Sequence, residues 1–248
     1  MNIADLAADL KLSYIKSNYL ELAKDTTITH EEFLRALLKG ERENRIKNGI
    51  TRRIKEAKFP YKKYLCDFDK TKYSAEFLPE FEELETLEFI GKNENVILIG
   101  TQGAGKTHYG IALGMTACMS GKSVLYANVP NLVTELKETM SKNRITWFRH
   151  KFERYSLVIL DELGYISFDK IGAELLFNLI SARNDKGSII VTSNLTFDRW
   201  EEIFHDPTLT AAVVDRLTHK GHILDISREK GGRFEETMRW LESRKMSR

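Results

Sequence analysis

The chain has 248 residues, enough for one or two domains with a sizeable core, and its 42% hydrophobic and 30% charged content is that of a soluble protein. A net charge of +2 is too small to imply nucleic-acid binding by itself, so any basic surface must be local. The two cysteines, Cys66 and Cys118, have neither metal-ligand nor redox spacing, no apolar run is long enough for a bilayer, and Met1-Asn2-Ile3-Ala4-Asp5 lacks a signal-peptide start; a cytoplasmic protein without a membrane partner is expected.

Residues 1–58 read as helices. Ile3, Leu6 and Leu10 recur at helical spacing, as do Phe33, Leu34, Leu37 and Leu38. Thr29-His30-Glu31-Glu32 has the form of a capping box. The segment 39–63 is strongly basic (Lys39, Arg42, Arg45, Lys47, Arg52, Arg53, Lys55, Lys58, Lys62 and Lys63), and the stretch from Asp67 to Glu88 is acidic. Phe59-Pro60 is expected to end the basic helix, because proline disfavours helix in the residue before it. A domain boundary is expected near there, giving a small all-α N-terminal domain over 1–65 and a larger domain over 66–248.

In the larger domain short, β-branched runs at 96–99, 123–129, 157–160, 189–192 and 222–226 alternate with helical candidates at 106–120, 131–141, 171–184 and 209–217. Gly121 falls where a helix C-terminal glycine is wanted. Apolar strands separated by helices predict an α/β fold with a parallel sheet covered on both faces.

The sequence Gly100-Thr101-Gln102-Gly103-Ala104-Gly105-Lys106-Thr107 fits G-x-x-x-x-G-K-S/T, follows a strand and opens a helix. The glycines let the backbone turn tightly and aim N–H groups at phosphate oxygens, and the helix N-terminus adds partial positive charge. Lys106 is expected on the β- and γ-phosphates of ATP, and the Thr107 hydroxyl on Mg2+. Leu157-Val158-Ile159-Leu160-Asp161-Glu162 ends an apolar strand in two acids, at the sheet edge where open α/β sheets bind ligands. Asp161 is expected to hold Mg2+ and Glu162 to polarise the attacking water, which favours ATP hydrolysis over transfer to a small molecule. A third strand ends in Thr192-Ser193-Asn194, where Asn194 either reaches the γ-phosphate or positions that water; read alone, Ser193-Asn194 is a turn signal.

Together these segments resemble the AAA+ ATPases of the initiator clade, with Walker A at Gly100 to Thr107, Walker B ending at Asp161 and Glu162, and sensor 1 at Asn194. More narrowly, the run from Leu157 through Asp161-Glu162-Leu163-Gly164-Tyr165 to Ile180, with Trp200-Glu201-Glu202-Ile203-Phe204 and Asp215-Arg216-Leu217, resembles the IstB family of insertion-sequence transposition helpers, relatives of the helicase loader DnaC. The resemblance implies an AAA+ P-loop sheet and makes Arg216 an arginine finger acting in trans within a homo-oligomer. It also implies a sensor 2 arginine, here Arg233 or Arg228, although Lys230-Gly231-Gly232-Arg233 departs from the family's Ser-Tyr-Arg. It implies ATP-dependent assembly on duplex DNA and a cognate transposase as partner. The basic helix either runs along phosphates, is a solvated face, or docks the acidic block; loops such as 137–149 are the other candidate for duplex contacts. A DnaC-like loader of a helicase, acting with single-stranded DNA, and an ATP switch that hydrolyses negligibly are the competing functions.

Overall fold

The computed structural model describes residues 2–226. The chain divides into two compact units, Met1–Arg52 and Arg53–Arg248.

The first unit is helical: α1 (Ile3–Asp9), α2 (Ser13–Leu22) and the long α3 (His30–Glu56), whose last turn lies past the division. The starts of α1 and α3 have local causes. Asn2 and Asp5 form a reciprocal capping box on α1. The Thr29 N–H donates to Glu32 at 2.8 Å and the Glu32 N–H donates to Thr29 Oγ1 at 3.2 Å, so the capping box expected from sequence is formed. α2 has no cap of its own; the buried Glu41 of α3 accepts from the N–H groups of Tyr14 and Ile15 at 2.8 and 3.3 Å and also takes Arg45 Nε at 3.1 Å. The two helices meet at Gly40, where an added Cβ would fall 2.0 Å from the Tyr14 ring. The apolar core here is small: Ala7, Ile15 and Leu37 are buried, whereas Ile3, Leu6, Leu10, Leu34 and Leu38 are exposed. Helical periodicity therefore located these helices correctly without implying that their apolar faces are covered. α3 stops at Glu56, and Lys58 turns the chain with φ of 60° before Phe59-Pro60.

The second unit follows with short 3-10 turns, then α4 (Leu78–Glu85) and α5 (Glu88–Lys92), which fold the acidic block by burying Phe81, Leu84, Phe89 and Ile90. Next come β1 (Asn95–Ile99), α6 (Lys106–Met119), β2 (Val124–Asn128), α7 (Val129–Ser141), α8 (Ile145–Glu153) and β3 (Leu157–Leu163). The described chain ends with α9 (Lys170–Ser181), β4 (Ser188–Ser193), α10 (Glu201–Phe204), α11 (Pro207–Thr218) and β5 (Gly221–Asp225). The segment 137–149, expected as a loop, is instead the end of α7, a turn and most of α8. Gly121 has φ of 90°, with the Gly121 N–H on Cys118 O and the Lys122 N–H on Ala117 O, the paired bonds of a Schellman ending.

The strands form one parallel sheet in the order β2-β3-β4-β1-β5. One face packs Ile97, Val158, Leu160 and Val191 against Leu136, Leu176 and Val213 of α7, α9 and α11. The other packs Val96, Leu98, Ile159 and Ile190 against Tyr109 and Leu113 of α6, with Phe68 and Phe81. Parallel strands covered on both sides explain the near-continuous apolar runs. Because β4 lies between β1 and β3, the loop after β1, the end of β4 and the acids of β3 emerge side by side at one sheet edge. Among the described residues no helix is long and apolar enough to cross a membrane.

Candidate nucleotide site

The loop leaving β1 turns through Gly103 at φ 77° and Gly105 at φ 99°, a backbone region that costs glycine little and other residues much. Gly105 is constrained twice, because a Cβ there would also fall 2.5 Å from Tyr73 Oη. That hydroxyl donates to Ala104 O at 2.6 Å and so pins the loop from the segment preceding α4. Thr101, Gln102 and Gly103 are exposed, and Ala104 is buried beneath them. Lys106 opens α6 and its ammonium donates to Gly100 O and Thr101 O at 2.7 and 2.8 Å. The first N–H groups of α6 thus face the same hollow as a cation.

Thr107 Oγ1 donates to Asp161 Oδ1 at 2.7 Å, joining the loop to the end of β3. Asp161 is 2% exposed, and both its oxygens are hydrogen-bonded: Oδ1 also accepts from Thr192 Oγ1 at 2.6 Å, and Oδ2 from Tyr126 Oη at 2.7 Å. The register of β3 against β4 shifts between Leu160 and Leu163, and at that irregularity Glu162 takes φ of 64°. Its N–H donates to Thr192 Oγ1 at 3.0 Å, and its carboxylate, on an exposed residue, accepts from Asn128 Nδ2 at 2.6 Å. Asn128 Oδ1 meanwhile takes the Asn131 N–H and caps α7, which fixes which way the amide points. Burial, together with the hydrogen bond to Asp161, holds the Tyr126 phenol well above its ordinary pKa. Tyr61 is raised as well, by burial and then by the charges of Asp161 and Glu162.

Asn194 is exposed just past β4, with Oδ1 3.2 Å from where a Cβ would sit on Gly164, beside the turn that follows Glu162. Lys106, Thr107, Asp161, Glu162 and Asn194 therefore converge. Arg216 does not join them. Its carbonyl and that of Leu217 accept from Asn95 Nδ2 at 3.3 and 3.2 Å, which places the end of α11 at the start of β1, the opposite end from Gly100. Its guanidinium lies 4.6 Å from the Phe177 ring centroid and donates to Ala212 O at 3.0 Å. Arg228 and Arg233 lie outside the described residues.

Tyr126, Asn128 and Tyr73 did not emerge from the sequence, and Thr192 did so only as part of the polar end of a strand, without a role. One signal was legible: Tyr126 and Asn128 are polar at i and i+2 in a strand, hence on one face. The donor set also suits Mg2+. A hydroxyl and a carboxylate in contact supply two oxygen ligands, and no cluster of three or more His, Cys, Asp or Glu forms a protein cage among the described residues. Mg2+ is ordinarily held by one or two such groups, with phosphates and water completing the shell.

A parallel sheet in this order, with a glycine-rich loop after β1 and acids ending β3, is an AAA+ P-loop fold. The chain matches AMPPCP-bound DnaA from Aquifex aeolicus with a TM-score of 0.58 at 19% identity, over 75% of this chain and just over half (56%) of that one. It matches the DnaC helicase loader with a TM-score of 0.52 at 19% identity, over 60% and 88% of the two chains. At such identity the likeness is one of fold. In sequence, the IstB-like ATP binding protein family matches residues 5–237. The ATP-binding protein of insertion sequence IS21 from Pseudomonas aeruginosa is 37% identical over 218 residues, 88% of this chain and 82% of the relative. The chain belongs to the IstB-like ATP binding protein family.

Proposed function

We propose that this protein is a Mg2+-dependent ATPase that assembles head to tail on duplex target DNA and recruits or stimulates a cognate transposase. The observation that carries the reading is the contact of Thr107 with Asp161 at 2.7 Å, with Glu162 the next residue and Lys106 the preceding one. In this reading the N–H groups of Gly100 to Thr107 cradle the phosphates, and Lys106 leaves its loop carbonyls to neutralise their charge. Thr107 and Asp161 would hold Mg2+, which would supply positive charge against the phosphates. Glu162 takes a proton from the attacking water, and Asn194 orients that water. Asn128 restrains Glu162, so the glutamate must exchange this partner for water before it acts.

The position of Arg216 supports action in trans. The length of β1, roughly 16 Å at about 3.3 Å per residue, separates its backbone from the chain's own loop. An arginine finger in a neighbour's site makes hydrolysis depend on assembly. The helical N-terminal unit serves DNA or a partner and the larger unit is the ATPase domain, in the cytoplasm; the boundary expected at 65 falls instead at Arg52/Arg53, so residues 53–65 go with the ATPase unit. Arg42, Arg52 and Lys55 share one face of α3 and form the phosphate-tracking stripe, whereas Arg45 Nε is committed to Glu41 at 3.1 Å and Arg53 Nε to Cys118 O at 2.8 Å. α8 adds the exposed Trp147, with Lys151 over its ring at 5.4 Å.

The second reading, a helicase loader acting with single-stranded DNA, draws on the fold likeness to DnaC. Electron microscopy of the protein with ATP and either DNA separates the two. Ordered assemblies on duplex, lost in Lys106→Ala, are expected; assembly only on single strands would replace the transposition reading with the loader.

A further inference from the structure

Asp161 has three hydroxyl donors, and one of them, Tyr126, belongs to neither the P-loop nor β4. Threonine donors to Oδ1 fix one oxygen but leave the carboxylate plane to rotate, since the terminal torsion of an aspartate is broad. A donor on Oδ2 removes that freedom, and at 2.7 Å to an ionised acceptor the bond is of the stronger, charge-assisted kind. Tyr126 is itself held. Its N–H donates to Ala57 O at 2.8 Å, and the Phe59 ring lies 6.4 Å away, tilted by 55°. Phe59 is seated on the P-loop helix, because a Cβ on Gly114 of α6 would come within 3.0 Å of its ring. The segment 57–59 that leaves α3 thus touches both the helix that begins at Lys106 and the tyrosine that orients Asp161.

We propose that Tyr126 is the positioning residue of the metal-binding carboxylate, turning Asp161 toward Mg2+, and that the strap Ala57 to Phe59 sets Tyr126 in place. This rests on the reading of Asp161 as a Mg2+ ligand. Tyr126 touches neither nucleotide nor metal; its effect passes through Asp161. Partners of this kind typically change metal affinity by about 10–100-fold.

The test measures affinity for a fluorescent N-methylanthraniloyl-ATP across a Mg2+ titration and in EDTA, with the full-length chain. Tyr126→Phe keeps the ring and its packing and removes only the hydroxyl. It is expected to raise the Mg2+ concentration for half-maximal tightening about tenfold, with affinity in EDTA and the melting temperature unchanged. Phe59→Leu, which loosens the strap but keeps the hydroxyl, is expected to shift the same midpoint less. A midpoint equal to wild type in Tyr126→Phe overturns the proposal, as does an equal loss of affinity with and without Mg2+. Asp161→Asn separates the two levels. If it abolishes the Mg2+ dependence while Tyr126→Phe has none of the expected effect, the metal reading stands and the positioning role fails. If Asp161→Asn also titrates like wild type, the metal reading itself fails.

Discussion

Asn128 uses both ends of one amide: its oxygen caps α7 and its nitrogen holds Glu162 at 2.6 Å. A glutamate tied this way is poised but restrained, because its carboxylate must give up the Asn128 amide before it can take a water. On the proposed mechanism, Glu162→Gln removes the base and leaves the cradle at Gly100 to Thr107 intact. ATP hydrolysis should then fall by about a hundredfold or more, while ATP-dependent assembly, followed by sedimentation, persists. Normal hydrolysis in that variant would move the base elsewhere. Thr192 belongs to the same unit, since its hydroxyl is shared between the Asp161 carboxylate and the Glu162 N–H.

At the level of elements, α6 approaches the sheet through two glycines with different tolerance. A Cβ on Gly110 would make ordinary contacts at 3.6–3.9 Å with Ile190, Ile159 and Thr192. On Gly114 it would meet Ile159 Cδ1 at 2.7 Å and the Phe59 ring at 3.0 Å. Gly110→Ala should therefore be neutral or stabilising, as replacing a mid-helix glycine gains roughly 0.5–1 kcal/mol. Gly114→Ala should lower the melting temperature instead; equal melting of the two would contradict this packing. In the N-terminal unit the vulnerable contact is Glu41 on the start of α2. Burial opposes its charge, but Arg45 and the Ile15 and Tyr14 N–H groups prevail and hold its pKa below the ordinary carboxylate value. A lowered folded pKa means the contribution is present in full above the unfolded value, about 4.3, and is lost as pH falls through the folded one. The protection of α2 amides from hydrogen exchange, relative to the intrinsic rate at each pH, should consequently fall below about pH 4, and Glu41→Gln should show the reduced protection already at neutral pH. A wild-type α2 protected equally at pH 3 and pH 7 would refute that role.

For the whole molecule the decisive feature is the separation of Arg216 from its own loop by the length of the sheet. A finger that acts only in trans makes two inactive proteins complement each other. On the proposed assembly, Arg216→Ala retains a complete Walker site, and Glu162→Gln retains Arg216. Mixed in the presence of ATP and duplex DNA, they should hydrolyse faster than either alone, measured as phosphate release. A mixture no faster than the sum of its parts would place Arg216 outside the catalytic interface.

The division between sequence and structure follows from how local each interaction is. The strands, the flanking helices, the Thr29–Glu32 capping box and the Gly121 ending were legible because periodicity, caps and turns act over a few residues. So was the spelling of the loop from Gly100 to Thr107, where the chemistry requires those residue types consecutively. Other features were not legible. Ile3, Leu6 and Leu10 lie at helical spacing yet stay exposed, and the acidic block folds as α4 and α5 because Phe81 and Leu84 find a core formed by distant residues. Only the sheet order β2-β3-β4-β1-β5 brings Thr107 to Asp161 and sets Thr192 between the loop and the acids. The sequence by itself determined the family and the expected cradle for a triphosphate. The tertiary structure decided the neighbours of Asp161 and Glu162, because their hydrogen bonds with Tyr126, Asn128 and Thr192 span 30 or more positions along the chain and exist only once the strands have paired.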